Sequence, residues 1–301
     1  MDNIYFNYYN HSELLFIIKK YFLLLKAIKA ILIFILFLHS LNYNKKKVSF
    51  YVSLTSWKGR INFIYKNLER LLNNNIHPIK LILNLAVEEF PKKESELPLK
   101  ILSLLKKYKN FQIFWVKEDI KNFKKFMPTI NRFKNDLIIT LDDDILYPNN
   151  LFENMLKCYK LLGGNNPVSF GKQTSDWIID GKYLYSHYGG GSVVKYNYYN
   201  NKINEIFGKV TKDRISKGIK CPDDVLYTYA ALLNGYKYKR CKKYVIKVNS
   251  YIPEEKNIAF SENNKNYTRL YHQYHTIIRQ FIKKTYNKTI LNIIEKVENQ
   301  N

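Results

Sequence analysis

Cysteine is scarce in this chain: Cys158, Cys221 and Cys241 are the three among 301 residues. They show neither close pairing nor the spacing of a metal site. Cys158 falls in a helical pattern and is expected in the core. Nothing in this usage requires an oxidising compartment, so a reducing cytoplasm is the default. Acidic residues are also in short supply, 25 against 49 Lys and Arg, for a net charge of +24. Such a field favours polyanions: nucleic acid, anionic lipid headgroups or phosphorylated substrates. The basic residues are spread along the chain, and neither a nucleic-acid module nor a concentrated basic stripe is present. Nucleic acid is therefore not an expected partner. A P-loop, a dinucleotide fingerprint, internal repeats and low-complexity linkers are missing as well. What is present is a 46% apolar fraction with 26 Tyr and 18 Phe. That is enough for one large globular domain or two modest ones.

The amino-terminal residues 1–46 differ from the rest. Residues 14–41 are strongly apolar but carry Lys19, Lys20, Lys26 and Lys29. The longest uncharged stretch, 30–41, is too short to cross about 30 Å of hydrocarbon comfortably. Reaching back to Tyr21 gives spanning length only by including two lysines, which would have to snorkel. No small-x-small cleavage site precedes Lys45, which argues against a removed signal peptide. An interfacial helix, a marginal single span and a buried terminal helix remain as readings, with membrane association the expectation. Lys45, Lys46 and Lys47 place the following domain on the cytoplasmic side. Localisation is expected at the inner face of the cell membrane.

From Val48 onward strand-like and helix-like patterns alternate. Strands are predicted at 48–56, 79–85, 111–116 and 136–141, and helices at 62–72, 97–108, 121–133 and 149–162. The fold class is α/β, a mostly parallel central sheet flanked by helices. Beyond Gly164, short strands are expected at 167–170 and 183–188, a helix at 224–233, a late strand at 238–248 and a carboxy-terminal amphipathic helix at 272–282.

The fourth strand ends abruptly in Asp142, Asp143 and Asp144, within DLIITLDDDILYP (136–148). Three acids at a strand tip repel one another and cost stability unless a cation or ligand neutralises them. A hard divalent metal takes oxygen ligands from one or two carboxylates and completes its shell with phosphate oxygens. Open α/β sheets bind ligands beyond the carboxyl ends of their strands. The bland alternative is a solvated turn in which Asp144 caps the next helix.

A second acidic pair, Asp223 and Asp224, opens the helix VLYTYAALLNG. An ordinary cap explains it; beside a metal-type turn, one carboxylate suits a general base. The run Gly189-Gly190-Gly191 permits close backbone approach to a ligand, and a tight turn between strands explains it equally well. His272 and His275 lie three apart on a predicted helix, within reach of a metal or diphosphate; an ordinary surface or half-buried pair explains them as well. Trp57 and Trp177 suit stacking on a sugar or base, or core packing.

Taken in order and spacing, SLTSWKGR (53–60), LNLAVEEFP (83–91), KKFMPTI (124–130), IITLDDDILYP (138–148), GGGSVVKY (189–196) and PDDVLYTYAALLNG (222–235) resemble bacterial glycosyltransferases of the GT-A class, of the kind found in capsule and lipopolysaccharide gene clusters. The resemblance spans residues 48–235. It implies a GT-A type nucleotide-diphospho-sugar transferase fold and a DxD motif at 142–144. Asp144, with Asp142, would hold Mn2+ or Mg2+ on the donor diphosphate; Asp142 would also sit near the donor ribose or sugar, and Asp143 would join the nucleotide-sugar contacts. Thr55 and Arg60 match the loop framing the nucleotide, and Asp119 would lie near the base or ribose. Asp223 and Asp224 match the acidic pair before the acceptor-side helix, with Asp224 the choice for catalytic base; Asp223 stands where many relatives have Glu, so either of the pair can be the base. The implied partners are a nucleotide-sugar donor, with UDP favoured, and a glycan or lipid-linked acceptor.

The implied organisation is an apolar, basic segment at 1–46, a glycosyltransferase domain at 47–262 and a basic helical segment at 263–301. Two rival classes fit the sequence less well. An aspartate-dependent phosphotransferase or phosphatase wants Thr or Val two positions beyond its second aspartate, where this chain has Leu146. A non-enzymatic basic protein binding nucleic acid or a membrane surface leaves the acidic motifs without a role.

Overall fold

The computed structural model describes residues 11–43, 48–171, 178–179, 182–183, 190–244 and 267–299. The chain divides into two compact units, Met1–Val48 and Ser49–Asn301. The first contains one helix, α1 (His11–Tyr43), of 33 residues. Its side chains described between Leu15 and Ile35 are exposed. No helix among the described residues is long and apolar enough to cross a membrane.

The second unit is an α/β fold. Its strands are β1 (Phe50–Thr55), β2 (Lys80–Ala86), β3 (Phe111–Val116), β4 (Leu137–Thr140), β5 (Val168–Ser169), β6 (Ile178–Ile179), β7 (Lys182–Tyr183), β8 (Ser192–Val194) and β9 (Lys239–Arg240). Seven of them form one sheet in the order β3-β2-β1-β4-β8-β5-β9, and β6 and β7 pair separately. β1, β2, β3 and β4 run parallel, while β8 is antiparallel to both β4 and β5. Leu81 to Ala86 of β2 are all buried, as expected of a central strand covered on both faces.

The helices α2 (Tyr65–Leu72), α3 (Leu99–Lys107), α4 (Met127–Arg132) and α5 (Leu151–Leu161) fall where the periodicity places them, with one exception. The helix predicted at 121–133 is a 3-10 turn, Lys121–Lys125, followed by α4. Pro128 explains the break. It lacks an N–H and clashes with the preceding turn, so it is tolerated only where a helix begins.

Two short helices, α6 (Lys202–Ile206) and α7 (Lys212–Ser216), join through a π turn. Then come α8 (Asp223–Leu233), α9 (Tyr267–Tyr286) and α10 (Ile290–Glu298). Asp224 through Leu232 of α8 are buried, the signature of a helix inside the core. On α9, Tyr271, Tyr274, His275, Ile278 and Ile282 are buried; the three- and four-residue steps form one packed stripe. The 263–301 segment therefore contributes its described helices to the second unit's core.

The cysteine expectation is corrected. Cys158, on α5, is bonded to Cys241, just past β9, and Cys221 is the free, buried thiol. A separation of 83 residues hides such a pair from spacing. The Cα atoms are 6.1 Å apart, within bridging range.

Candidate functional site

The strand order reverses at β1: β2 and β3 lie on one side, β4 on the other. Such a switch point opens a crevice beyond the strands' carboxyl ends, where α/β sheets take their ligands. Ser53 of β1 is in register with Thr140 of β4, so the loops after the two strands face each other. The first loop carries Arg60 and the second Asp142, Asp143 and Asp144.

The acidic turn is not a solvated cap. Asp143 is 6% exposed, and α5 begins only at Leu151, with Asn150 before it. The backbone of the turn is pinned from within. The Asp142 N–H donates to the buried Tyr147 Oη at 2.9 Å. Asn67 Nδ2 donates to the carbonyls of Asp142 and Asp143 at 3.3 and 3.2 Å.

The three carboxylates diverge to two cations. Arg60 Nη1 lies 2.5 Å from Asp143 Oδ1 and 3.4 Å from Asp144 Oδ2. Lys125 Nζ lies 2.8 Å from Asp142 Oδ1 and 3.2 Å from Asp223 Oδ2. Arg60, read from sequence as framing a nucleotide, is 7% exposed and turned toward the acids. Lys125 thus joins the acidic turn to the acidic pair opening α8. Asn122 Nδ2 completes that link, donating to Asp223 Oδ1 at 2.7 Å and to the Cys221 carbonyl at 3.1 Å.

The electrostatics follow from this crowding. Burial first, then Asp143 and Asp142, raises the Asp144 carboxyl to about 7 despite Arg60. Burial and the adjacent Asp223 raise Asp224 to about 8, with Lys125 opposing. Burial alone would lower the Lys125 ammonium, but Asp142 and Asp223 outweigh it and hold it well above a lysine's ordinary value. Lys125 stays charged at any working pH.

The remaining sequence-predicted residues have the following partners. Thr55 Oγ1 donates to the Asn84 carbonyl at 2.7 Å, tying the ends of β1 and β2. Asp119 follows β3, where it pairs with Lys121 and Lys124, and Lys124 also meets Glu89 at 2.9 Å. Burial works to raise the Asp119 carboxyl, but the two lysines hold it below the usual carboxylate range. Trp57 is exposed; Trp177 and Gly189 lie outside the described residues. His272 is exposed, whereas His275 is 4% exposed with Nδ1 2.9 Å from Tyr229 Oη, so only His272 presents its ring to solvent.

Sequence reading missed Lys125, Asn122, Asn67 and Tyr147. Lys125 lies in the quoted KKFMPTI segment, but one lysine among many carries no signal of its own.

The donor set suits a hard divalent cation. All ligand atoms on offer are carboxylate oxygens, and Asp143 Oδ2 is buried without a hydrogen-bond partner. Among the described residues no three His, Cys, Asp or Glu side chains converge into a cage. A cation here would take one or two carboxylates and find its other ligands on a bound substrate.

No protein-family model and no curated protein matches this chain. Among solved structures, a mannosyltransferase from Pyrobaculum calidifontis in complex with GDP-Man and Mn2+ is 12% identical, with a TM-score of 0.43, covering 67% of this chain and 56% of its own. A 4-diphosphocytidyl-2C-methyl-D-erythritol synthase from Anaerococcus prevotii is 13% identical, with a TM-score of 0.40, covering 74% and 96%. TarS residues 1–349 from S. aureus are 7% identical, with a TM-score of 0.40, covering 66% and 59%. This chain thus spans little more than half of the first of these proteins. At such identities and scores the likenesses say nothing about its substrate.

Proposed function

We propose that this protein is a glycosyltransferase of GT-A type, moving a sugar from a nucleotide diphosphate donor, UDP-linked by preference, to a hydroxyl of a glycan or lipid-linked acceptor in surface polysaccharide synthesis. One observation carries the reading. A single ammonium, Lys125, holds Asp142 of the strand-end turn and Asp223 of the α8 pair at 2.8 and 3.2 Å. The two motifs that the resemblance assigns to donor and acceptor thereby meet beside the switch point of the sheet.

In this reading the acidic turn receives the donor diphosphate. Asp144, with Asp142, would hold Mn2+ or Mg2+, which when bound stabilises negative charge on the departing diphosphate. Lys125 and Arg60 position the carboxylates and offset part of their charge, and a bound divalent cation would neutralise the rest for a phosphorylated ligand. Asp224 accepts the proton of the acceptor hydroxyl while that oxygen forms its bond to the anomeric carbon. The bond from that carbon to the diphosphate oxygen breaks, and the diphosphate leaves with the electron pair. A carboxylate raised to about 8 is suited to this task, because a base works best with its constant near the operating pH.

A thermal-shift screen of nucleoside diphosphates, each with and without Mn2+, tests the reading. Stabilisation by one nucleotide, only with metal present, is expected, since a ligand that prefers the native state raises its apparent stability. Asp144→Asn should abolish metal-dependent turnover of the matching nucleotide-sugar and leave the thermal transition in place. Wild-type turnover by that variant in the presence of chelator would end the assignment.

A further inference from the structure

We infer that Tyr271, on the carboxy-terminal helix α9, is a positioning residue for the Asp224 carboxylate, so that α9 forms a working wall on the acceptor side of the site; this rests on the glycosyltransferase reading. Tyr271 Oη donates to Asp224 Oδ2 at 2.5 Å across 47 residues of sequence. The other oxygen, Oδ1, accepts the Val225 N–H at 3.0 Å. With one donor on each oxygen the carboxylate has a fixed rotation, and each oxygen keeps a lone pair for another proton. Tyr271 is 2% exposed and Asp224 6%.

The helical turn that follows Tyr271 on α9 is itself tied down. Tyr274 Oη meets Thr211 Oγ1 at 2.5 Å, and His275 Nδ1 meets Tyr229 Oη of α8 at 2.9 Å. The Tyr271 and His275 rings are 5.2 Å apart. Burial keeps the Tyr271 phenol well above its ordinary value, so it stays protonated and donates throughout the working range.

The direction of the effect is fixed by chemistry. A hydrogen bond to the ionised form favours that form. The charged groups acting on Asp224 are Asp223 beside it, Lys125 from the 3-10 turn and Asp142 from the acidic turn. None of these is altered by trimming Tyr271 to Phe. The loss of one donor should therefore raise the Asp224 constant and release its rotation.

The test uses the full chain. Tyr271→Phe should move the acidic limb of kcat/KM to higher pH by about one unit, and lower kcat near neutrality about tenfold, with donor KM unchanged. Tyr274→Phe removes a hydroxyl from the same stripe without touching Asp224 and should leave the limb in place. An unmoved limb in Tyr271→Phe, or an equal shift in Tyr274→Phe, overturns the proposal. If Tyr271→Phe fails to fold, 3-fluorotyrosine at position 271 keeps the shape and strengthens the donor. The limb should then move to lower pH, and no movement overturns the proposal. Carbon NMR of labelled aspartate follows the Asp224 carboxyl without turnover. An identical titration in wild type and Tyr271→Phe sinks the positioning role alone, whereas a wild type that transfers from no nucleotide-sugar sinks the glycosyltransferase reading.

Discussion

Lys125 stands between carboxylates 81 residues apart in sequence, and both its partners are largely withdrawn from water. Its own side chain is 14% exposed, that of Asp223 13% and that of Asp142 26%. Replacing it with Met strips two acids of their counter-charge without returning either to solvent. Breaking a buried pair in this way costs about 3–5 kcal/mol, and the partial exposure of Asp142 places this case near the lower figure. Lys125→Met should therefore lower the urea midpoint by the equivalent of about 3 kcal/mol, with Lys125→Arg recovering most of it. A midpoint equal to wild type would show that the ammonium does not hold the two acidic motifs together. The acids were legible in the sequence because they interrupt an apolar run. Lys125 was not, because nothing in a lysine-rich stretch marks which side chain turns inward; that follows from the break at Pro128. Gly191 was legible only in part. Its φ is +101°, and a Cβ there would lie 2.5 Å from the Thr140 carbonyl. Gly191 is thus explained by the seating of β8 against β4, the strand that ends in the acidic turn.

At the scale of elements, the four parallel strands were readable because each is an apolar run long enough to show itself, bounded by turns. β5, β8 and β9 are two or three residues each, too short for any periodicity. β8 reaches its place between β4 and β5 only through non-local pairing. The Cys158–Cys241 bond ties this poorly legible half to the helix following the acidic turn. It closes a loop of 83 residues, and removing such a link costs about 2–5 kcal/mol. Reduction, or Cys158→Ser, should lower the thermal midpoint while the Ser variant becomes insensitive to reductant. Thiol titration of the denatured protein, taken directly from the cells that make it, measures its redox state there. One thiol per chain, from Cys221, is the count expected with the bond intact. Three would mean that the two cysteines sit reduced in a compartment that opposes the bond, which is the cytoplasmic default that their spacing suggested.

For the whole molecule, the division into a helix of 33 residues and a separate α/β unit sets where each property resides. α1 is about 50 Å long at 1.5 Å per residue. Successive residues turn by about 100°, so Lys19, Lys26 and Lys29 fall in one sector while Lys20 lies on another side. Apolar side chains therefore surround the helix and leave it no broad polar face, unlike a helix that rests on a surface by its moment alone. An apolar girth with embedded lysines suits a lipid boundary where the ammonium groups reach the headgroups. Most of the positive charge lies elsewhere, since seven of the 49 Lys and Arg belong to residues 1–48. The expectation of membrane association thus divides into two attractions to an anionic bilayer, apolar insertion by α1 and long-range attraction by the α/β unit, and salt distinguishes them. The full chain should sediment with anionic phospholipid vesicles at low salt and stay bound at high salt, where charge is screened. A chain lacking residues 1–48 should bind weakly at low salt and be released at high salt. It should keep its thermal transition and its response to nucleotide with metal. If the truncated chain instead stays on vesicles at high salt, the membrane contact belongs to the α/β unit, and α1 has another partner.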